Sequence, residues 1–423
     1  MSATRKAFKY RIYPTPDQQA ALAIQFGHAR FVYNAALTAR KTTFFETGRG
    51  IGYNDTAQLL YFWKRLPSLV WLKQADSQVL QQALRDLDRA YQNYFERLKN
   101  GILPVGNGKP RKDGMPKGYP RYRSKFDEQS IRYPQRFKVE GSRIYLPKVG
   151  WVRAIFHRPL EGQMKNVTVT KTKSGKYFIS IQVEVERPEP APPPGVVGID
   201  LGLMDFATLS RPIQWQGEKT QRIPHPKFLR QAEGKLAALQ RKYSRTQQGS
   251  RGREKVRVRI ARLHEKIANR RADFLHKLSR EIADRYGHVR IENLNVTGMV
   301  RNHSLAKSIA DSGWSEFGRQ LTYKAEWMGG FTERIDRWYP SSKTCNACGR
   351  VNHTLTLKDR FWVCHCGVEH DRELLAATNI ETFDSTGWSG RRNDGGDCIR
   401  PAAALPSPAA VGEAGSPRAF SRG

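Results

Sequence analysis

Residues 6–13, KAFKYRIY, alternate basic and apolar positions and stop at Pro14, the pattern of a half-exposed strand followed by a turn. From Thr15 the apolar spacing lengthens to three and four. Leu22, Phe26, Ala29, Tyr33 and Leu37 fall on one side of a helix that Thr15 or Asp17 can cap. A second helical region is expected over residues 55–98, with Leu80, Leu84, Leu87, Tyr91, Tyr94 and Leu98 in one stripe. Stripes of this kind face a core, so residues 15–99 make a small helical domain. Strand character returns at residues 143–146, 167–170 and 177–185, which carry β-branched and aromatic residues, and Ser174-Gly175 supplies a tight turn before the last of them. Residues 6–13 also read as a strand. The simplest assembly is therefore a β-barrel-like domain, residues 1–14 and 100–187, interrupted by the helical insertion.

The run PEPAPPPG, residues 188–195, is a stiff linker and a domain boundary. After it, GVVGIDLGLMDFATLS reads as a buried strand, a break at Gly202 and a second strand. Leu229, Ala232, Leu236, Leu239 and Tyr243, then Val256, Ile260, Leu263 and Ile267, describe a helical hairpin with an apolar seam and basic outer faces. Phe274, Leu278 and Ile282 continue as helix, HVRIENLN is a short buried strand ending in Glu292, and Trp314, Phe317, Leu321 and Trp327 mark a further helix. Beyond residue 386 periodicity is lost among Gly, Pro, Ala, Ser and Arg, so residues 387–423 are expected to be a disordered tail.

Charge changes the picture. Lys and Arg number 72 against 39 Asp and Glu, a net +33, over 423 residues, a length that suggests several domains. Self-repulsion of that size disfavours a compact state unless a polyanion is bound, so nucleic acid is the expected partner. The bland alternative is a merely basic structural protein. No run of 18 apolar residues and no apolar signal core occurs, which argues against a membrane role and secretion. Five cysteines, four of them clustered, suit metal ligation in a reducing cytoplasm, with the protein on the nucleoid when bound to DNA. The Gly-, Pro- and base-rich segment over residues 99–125 cannot fold alone. Its second half interleaves rings with Arg121, Tyr122 and Arg123, a pattern suited to stacking on bases and pairing with phosphates.

Three carboxylates stand where acids are costly. Asp200 interrupts an apolar strand, Glu292 ends another, and Asp371 opens the helix-like run DRELLAATNI. Converging, they could hold two Mg²⁺ or Mn²⁺ ions about 4 Å apart, the arrangement that hydrolyses phosphodiesters. Each acid alone could simply pair with a base; the order strand Asp, strand Glu, helix Asp on a basic chain favours an RNase H-like nuclease. Just before Asp371, Cys345-x-x-Cys348 forms a knuckle suited to tetrahedral Zn²⁺. The second pair, Cys364-His365-Cys366, is one residue short of the usual spacing. Either the tighter turn chelates, or His365 or His370 replaces one cysteine.

Together GIDLGLMDFATLS, IENLNVTGM, ADSGWSEF, YPSSKTCNACG and HDRE…AATNI resemble TnpB, the transposon-associated RNA-guided nuclease family related to type V CRISPR effectors. The likeness runs from KAFKYRIYP and ARFVYN to about residue 380. It implies an α/β multidomain protein: a wedge-type β-barrel interrupted by a helical recognition domain, then a RuvC-like nuclease domain over residues 196–337 and 368–386, with a zinc ribbon inserted at 338–367. It also implies one protein bound to one guide RNA, which pairs with a double-stranded DNA target beside a short adjacent motif. By motif match Asp200, Glu292 and Asp371 take the catalytic roles, and Tyr53 and Gln81 lie near that motif. The family pattern is altered at Glu373-Leu374-Leu375, where relatives often have a second Asp and an Asn. That alteration keeps open a nuclease-inactive, RNA-guided DNA-binding repressor of the same fold. A transposase with its own Tyr or Ser chemistry is disfavoured.

Overall fold

Thr15 separates the first strand from the first helix. Its backbone N–H donates to Gln18 Oε1 at 3.1 Å while its Oγ1 accepts from the Gln18 N–H, a reciprocal cap between β1 (Ser2–Tyr13) and α1 (Pro16–Thr47). The computed structural model describes residues 2–101, 115–187, 190–356 and 358–384. The expected disordered tail, with its isolated Cys398, and part of the basic segment lie outside the described residues. The single helical region expected over 55–98 is divided into α2 (Tyr53–Trp63), a 3-10 turn (Pro67–Gln74) and α3 (Ser77–Lys99). Pro67 breaks the amide ladder, and the Asp76 carboxylate restarts it by accepting from the Gln78 and Val79 amides.

Six strands follow: β2 (Gln129–Tyr133), β3 (Lys138–Glu140), β4 (Arg143–Leu146), β5 (Gly150–Ile155), β6 (Gln163–Lys171) and β7 (Tyr177–Arg187). With β1 they form one sheet in the order β2-β6-β7-β1-β5-β4-β3, whose edges among the described residues are β2 and β3. The long antiparallel register of β1 on β7, from Ser2 opposite Arg187 to Ile12 opposite Tyr177, joins the start of the chain to residues far along it. Tyr10, Ile12, Tyr133 and Ile179 of this sheet belong to the same apolar core as Leu22 and Leu37 of α1 and Leu80, Leu84 and Leu87 of α3. Helices and sheet therefore share one buried interior.

A second sheet is built from β8 (Val196–Leu201), β9 (Asp205–Trp215), β10 (Glu218–Pro224), β11 (His288–Ile291) and β12 (Phe331–Arg334), in the order β10-β9-β8-β11-β12. Strands β8, β11 and β12 run parallel, and β9 and β10 are antiparallel additions. The hairpin expected from the sequence is α4 (Phe228–Arg245) and α5 (Arg251–Arg285), and α5 absorbs the Phe274–Ile282 stripe into one continuous helix. Short α6 (Val296–Met299) and α7 (Ala306–Ser312) lead into α8 (Trp314–Trp327). A two-stranded ribbon, β13 (Phe361–Val363) and β14 (Glu369–Asp371), precedes the last helix, α9 (Arg372–Glu381).

Period-two alternation decides which residues meet. Val197 and Ile199 of β8, and Val289 and Ile291 of β11, point into a core completed by Phe274 and Leu278 of α5 and Phe317 and Leu321 of α8. Gly198 faces the other way, where the backbone of α9 lies so close that a Cβ would collide with Ala377 O and the Glu381 N. The next residue on that face of β8 is Asp200. Among the described residues no helix is long and apolar enough to cross a membrane.

Candidate acidic centre and cysteine cluster

In the parallel pair β8 and β11, Ile199 stands opposite Ile291, so the next residues, Asp200 and Glu292, come abreast at the carboxyl ends of adjacent strands. Both lie on the α9 face, in the position where open α/β sheets place their ligands. Their carboxyls hydrogen-bond each other. Burial raises Asp200 to about 6; the hydrogen bond from Glu292 opposes this, the negative charge of Glu373 adds to it, and Arg372 counters. Glu292 is raised well above the ordinary carboxylate range, first by burial and then by the Asp200 charge, against a hydrogen bond from the Leu201 amide. Two neighbouring acids raised in this way resist ionising together, and a divalent cation between them would favour their ionised forms.

The start of α9 supplies two more acids. Asp371 Oδ1 accepts from the Glu373 and Leu374 amides at 3.1 Å each, capping the helix, while Oδ2 pairs with the Arg222 guanidinium. Glu373 pairs with Arg222 at 3.2 Å and with Arg360 at 2.5 Å. Glu373 is also the residue whose charge acts on Asp200. Asp200, Glu292 and Asp371 are not gathered within ligand distance of one another: among the described residues, the only group of three or more His, Cys, Asp or Glu side chains so gathered is made of cysteines. Sequence reasoning passed over Glu373 as a departure from pattern. The signal that could have found it is an acid in the first turn of the same helix.

The four cysteine sulfurs lie within 4.8 Å of one another, with Cys345 Sγ 3.7 Å from Cys366 Sγ and Cys348 Sγ 3.5 Å from Cys364 Sγ. A zinc tetrahedron with bonds of about 2.3 Å has sulfur–sulfur edges of about 3.8 Å, so the thiols fit that ion as they stand. The shortened turn therefore brings Cys366 to the cluster. His365 is exposed. His370 is buried with Nε2 3.1 Å from Cys345 Sγ, a partner of a thiol rather than its replacement. Burial raises Cys345, but the Cys348 and Ala347 amides and His370 outweigh it and bring the thiol down to about 6. For Cys348 the Arg350 amide favours the thiolate, yet its hydrogen bond with Cys364, burial and the other thiols push it up to about 11. Asn379 of α9, itself buried, donates to Ser341 O and Thr344 O at 2.7 Å each and ties the cluster to the helix that carries the acids.

The remaining named residues are dispersed. Tyr53 opens α2 with Arg85 over its ring at 5.2 Å, and Gln81 is exposed on α3. Arg121 is exposed, and Tyr122 is exposed with its hydroxyl 3.1 Å from Thr38 Oγ1 and Lys41 over its ring. Arg123 is engaged internally, stacked 4.0 Å from the Tyr33 ring centroid and paired with Asp86 at 3.1 Å. The ADSGWSEF stretch also serves the frame. Buried Asp311 pairs with Arg271 at 2.7 Å and accepts from the Leu229 amide at 2.8 Å.

Comparison with known proteins places this basic chain, with its two abreast strand acids and its cysteine cluster. A family model described as a probable transposase matches residues 180–303, a Cas12f1-like TNB domain matches 314–380, and a helix-turn-helix domain matches 1–49, which here holds β1 and the single helix α1. A putative RNA-guided DNA endonuclease of Streptomyces pristinaespiralis is 37% identical over 388 residues, covering 90% of this chain and 89% of the relative. The putative RNA-guided DNA endonuclease InsQ of Escherichia coli K12 is 35% identical over 398 residues, covering 88% and 92%. Among solved structures, a Cas12f1-sgRNA-target DNA complex aligns with 90% of this chain and 99% of its own at 14% identity and a TM-score of 0.44. The chain belongs to the TnpB family.

Proposed function

We propose that this protein is an RNA-guided DNA endonuclease whose acidic centre cleaves target DNA beside a short adjacent motif. The observation that carries this reading is the pair of acids Asp200 and Glu292, set abreast at the strand ends and both pushed up by burial. In this reading residues 196–337 and 368–386 form a RuvC-like, RNase H-type nuclease domain, and residues 338–367 a zinc ribbon. Residues 1–14 and 100–187 form a wedge-type barrel, 15–99 a helical recognition region and 188–195 the linker. Support for the nucleic-acid path comes from a groove of about 850 Å³ between the first sheet and α5, where Lys9, Arg11, Lys173 and Arg257 outnumber the acids Glu128 and Glu265. Guide RNA pairing reads sequence there, one protein to one RNA in the cytoplasm, while the protein holds phosphates.

Two Mg²⁺ or Mn²⁺ ions, when bound, would supply an activated water and stabilise the departing oxygen. The chain's own work is to present oxygens. Asp200 and Glu292, once ionised, would offer carboxylates from the carboxyl ends of β8 and β11. A third carboxylate would come from the start of α9, where motif match names Asp371 and the charge of Glu373 reaches Asp200. Four thiolates from Cys345, Cys348, Cys364 and Cys366 would hold Zn²⁺ and fix the ribbon against α9. Purified with its RNA, the protein should cut matched DNA, and Asp200→Ala should abolish cutting while RNA stays bound; undiminished cutting by that variant would remove the assignment.

A second reading is favoured by the ion pairs on Glu373, which leave the acids ungathered: a nuclease-inactive, RNA-guided repressor. It predicts a footprint on matched DNA, with no product at any Mg²⁺ or Mn²⁺ concentration.

A further inference from the structure

We propose that Arg222 is an internal counter-ion of the acidic centre, a positioning residue that holds the carboxylates at the start of α9 and yields them to an incoming divalent cation. This rests on the reading above that Asp200 and Glu292 hold metal.

The sheet register places Arg222 there deliberately. Across the α9 face, Glu292, Asp200, Thr208 and Arg222 fall in one row, because Asp200 pairs with Thr208 and Thr208 with Arg222. A regular ladder would not do this. From Thr220 opposite Ile213, unbroken antiparallel pairing would set Arg222 opposite Arg211; instead the register slips and Arg222 stands opposite Thr208. Pro212 lies within the slipped part of β9 and has no amide to donate, which is where a ladder gives way. Irregularities of this kind re-aim a side chain beside a functional site.

Once there, the guanidinium meets three carboxylates: Asp205 at 3.3 Å, Glu373 at 3.2 Å and Asp371 in closest contact. One always-charged, weakly hydrated cation cannot satisfy three anions, so the cluster retains negative charge for a second cation. Arg222 comes from a strand at the sheet edge and its side chain is 43% exposed, so leaving the cluster for a phosphate breaks no core packing. Arg360, reaching Glu373 from the ribbon, is the other cation on that carboxylate. Magnesium chemistry would then require displacement of Arg222 from Asp371 and Glu373, and the liberated guanidinium would face the DNA strand.

Mn²⁺ binding to the full-length, RNA-free chain, followed by loss of the free-ion EPR signal, tests this without cleavage. Arg222→Gln should bind Mn²⁺ about tenfold more tightly than wild type, because a competing unit charge has gone. Arg222→Lys, which restores a point charge, should return close to the wild-type affinity. Asp200→Asn separates the two layers. If it leaves Mn²⁺ binding intact, the metal reading itself fails. If it abolishes binding while Arg222→Gln binds as wild type or more weakly, the counter-ion role alone is overturned.

Discussion

Gly198 of β8 lies against the backbone of α9 so closely that a Cβ would meet Ala377 O. This approach sets the depth of α9 over the sheet, and hence how far its first-turn acids stand from Asp200. Gly198→Ala forces the helix outward. Overpacking of this type costs about 1–3 kcal/mol. Denaturant melts should show that loss, with cleavage falling further than stability alone accounts for because α9 has been displaced.

The Asp200–Glu292 pair makes the magnesium-free protein sensitive to pH. Burial holds the Asp200 acid up to about 6 and the Glu292 acid well above the ordinary carboxylate range, whereas the unfolded chain releases both nearer that range. Folded values above unfolded ones mean that the contribution to stability is complete at low pH and is lost as pH rises through the folded values. Asp200→Asn removes the Asp200 share. In zinc-loaded, magnesium-free protein, the variant should exceed wild type at pH 8 by on the order of 1–2 kcal/mol and differ little at pH 4. Melting curves at the two pH values check this.

The two first-turn acids of α9 should separate under mutation. Asp371→Asn keeps a capping side chain and should leave the fold almost unchanged, whereas Asp371→Ala should cost about 1 kcal/mol. Glu373→Gln removes the charge that acts on Asp200 and leaves the cap in place. Under the proposed nuclease reading, single-turnover cleavage at saturating Mg²⁺ should therefore fall more in Glu373→Gln than in Asp371→Asn; the reverse order would favour Asp371 as the third acid of the centre.

Elemental analysis should find one zinc per chain, lost in Cys366→Ser. His370→Ala removes only the partner of Cys345 and should weaken zinc affinity by about 10–100-fold in chelator competition. Asn379→Leu leaves the Ser341 and Thr344 carbonyls without their donor, at about 1–3 kcal/mol, and should loosen the ribbon without removing a ligand.

How much of this was legible follows from range of interaction. Asp200 and Glu292 interrupt apolar strands, so local pattern alone marks them as acids needing a cause. Their neighbours Val197, Ile199, Val289 and Ile291 alternate strictly enough to assign their face. Strands β2, β3, β10 and β12 were illegible because they are short or polar, and EKTQRIP has no apolar alternation to betray it. Arg222 was lost with β10. The break at Pro67 was written in the chain but overridden by the stripe of leucines beyond it.

Sequence by itself determined the helix stripes, the two acid-bearing strands, the basic character and the four cysteines, because each is carried by nearest neighbours or by composition. Only tertiary structure decided that the short Cys364–Cys366 turn closes the cluster, with His370 beside rather than within it. It also decided that Asp371 caps its helix while Glu373 acts on Asp200, and that a slipped register carries Arg222 into their midst. Those outcomes depend on the packing of α9 against Gly198 and on pairing between strands distant in the chain, and no local pattern encodes either.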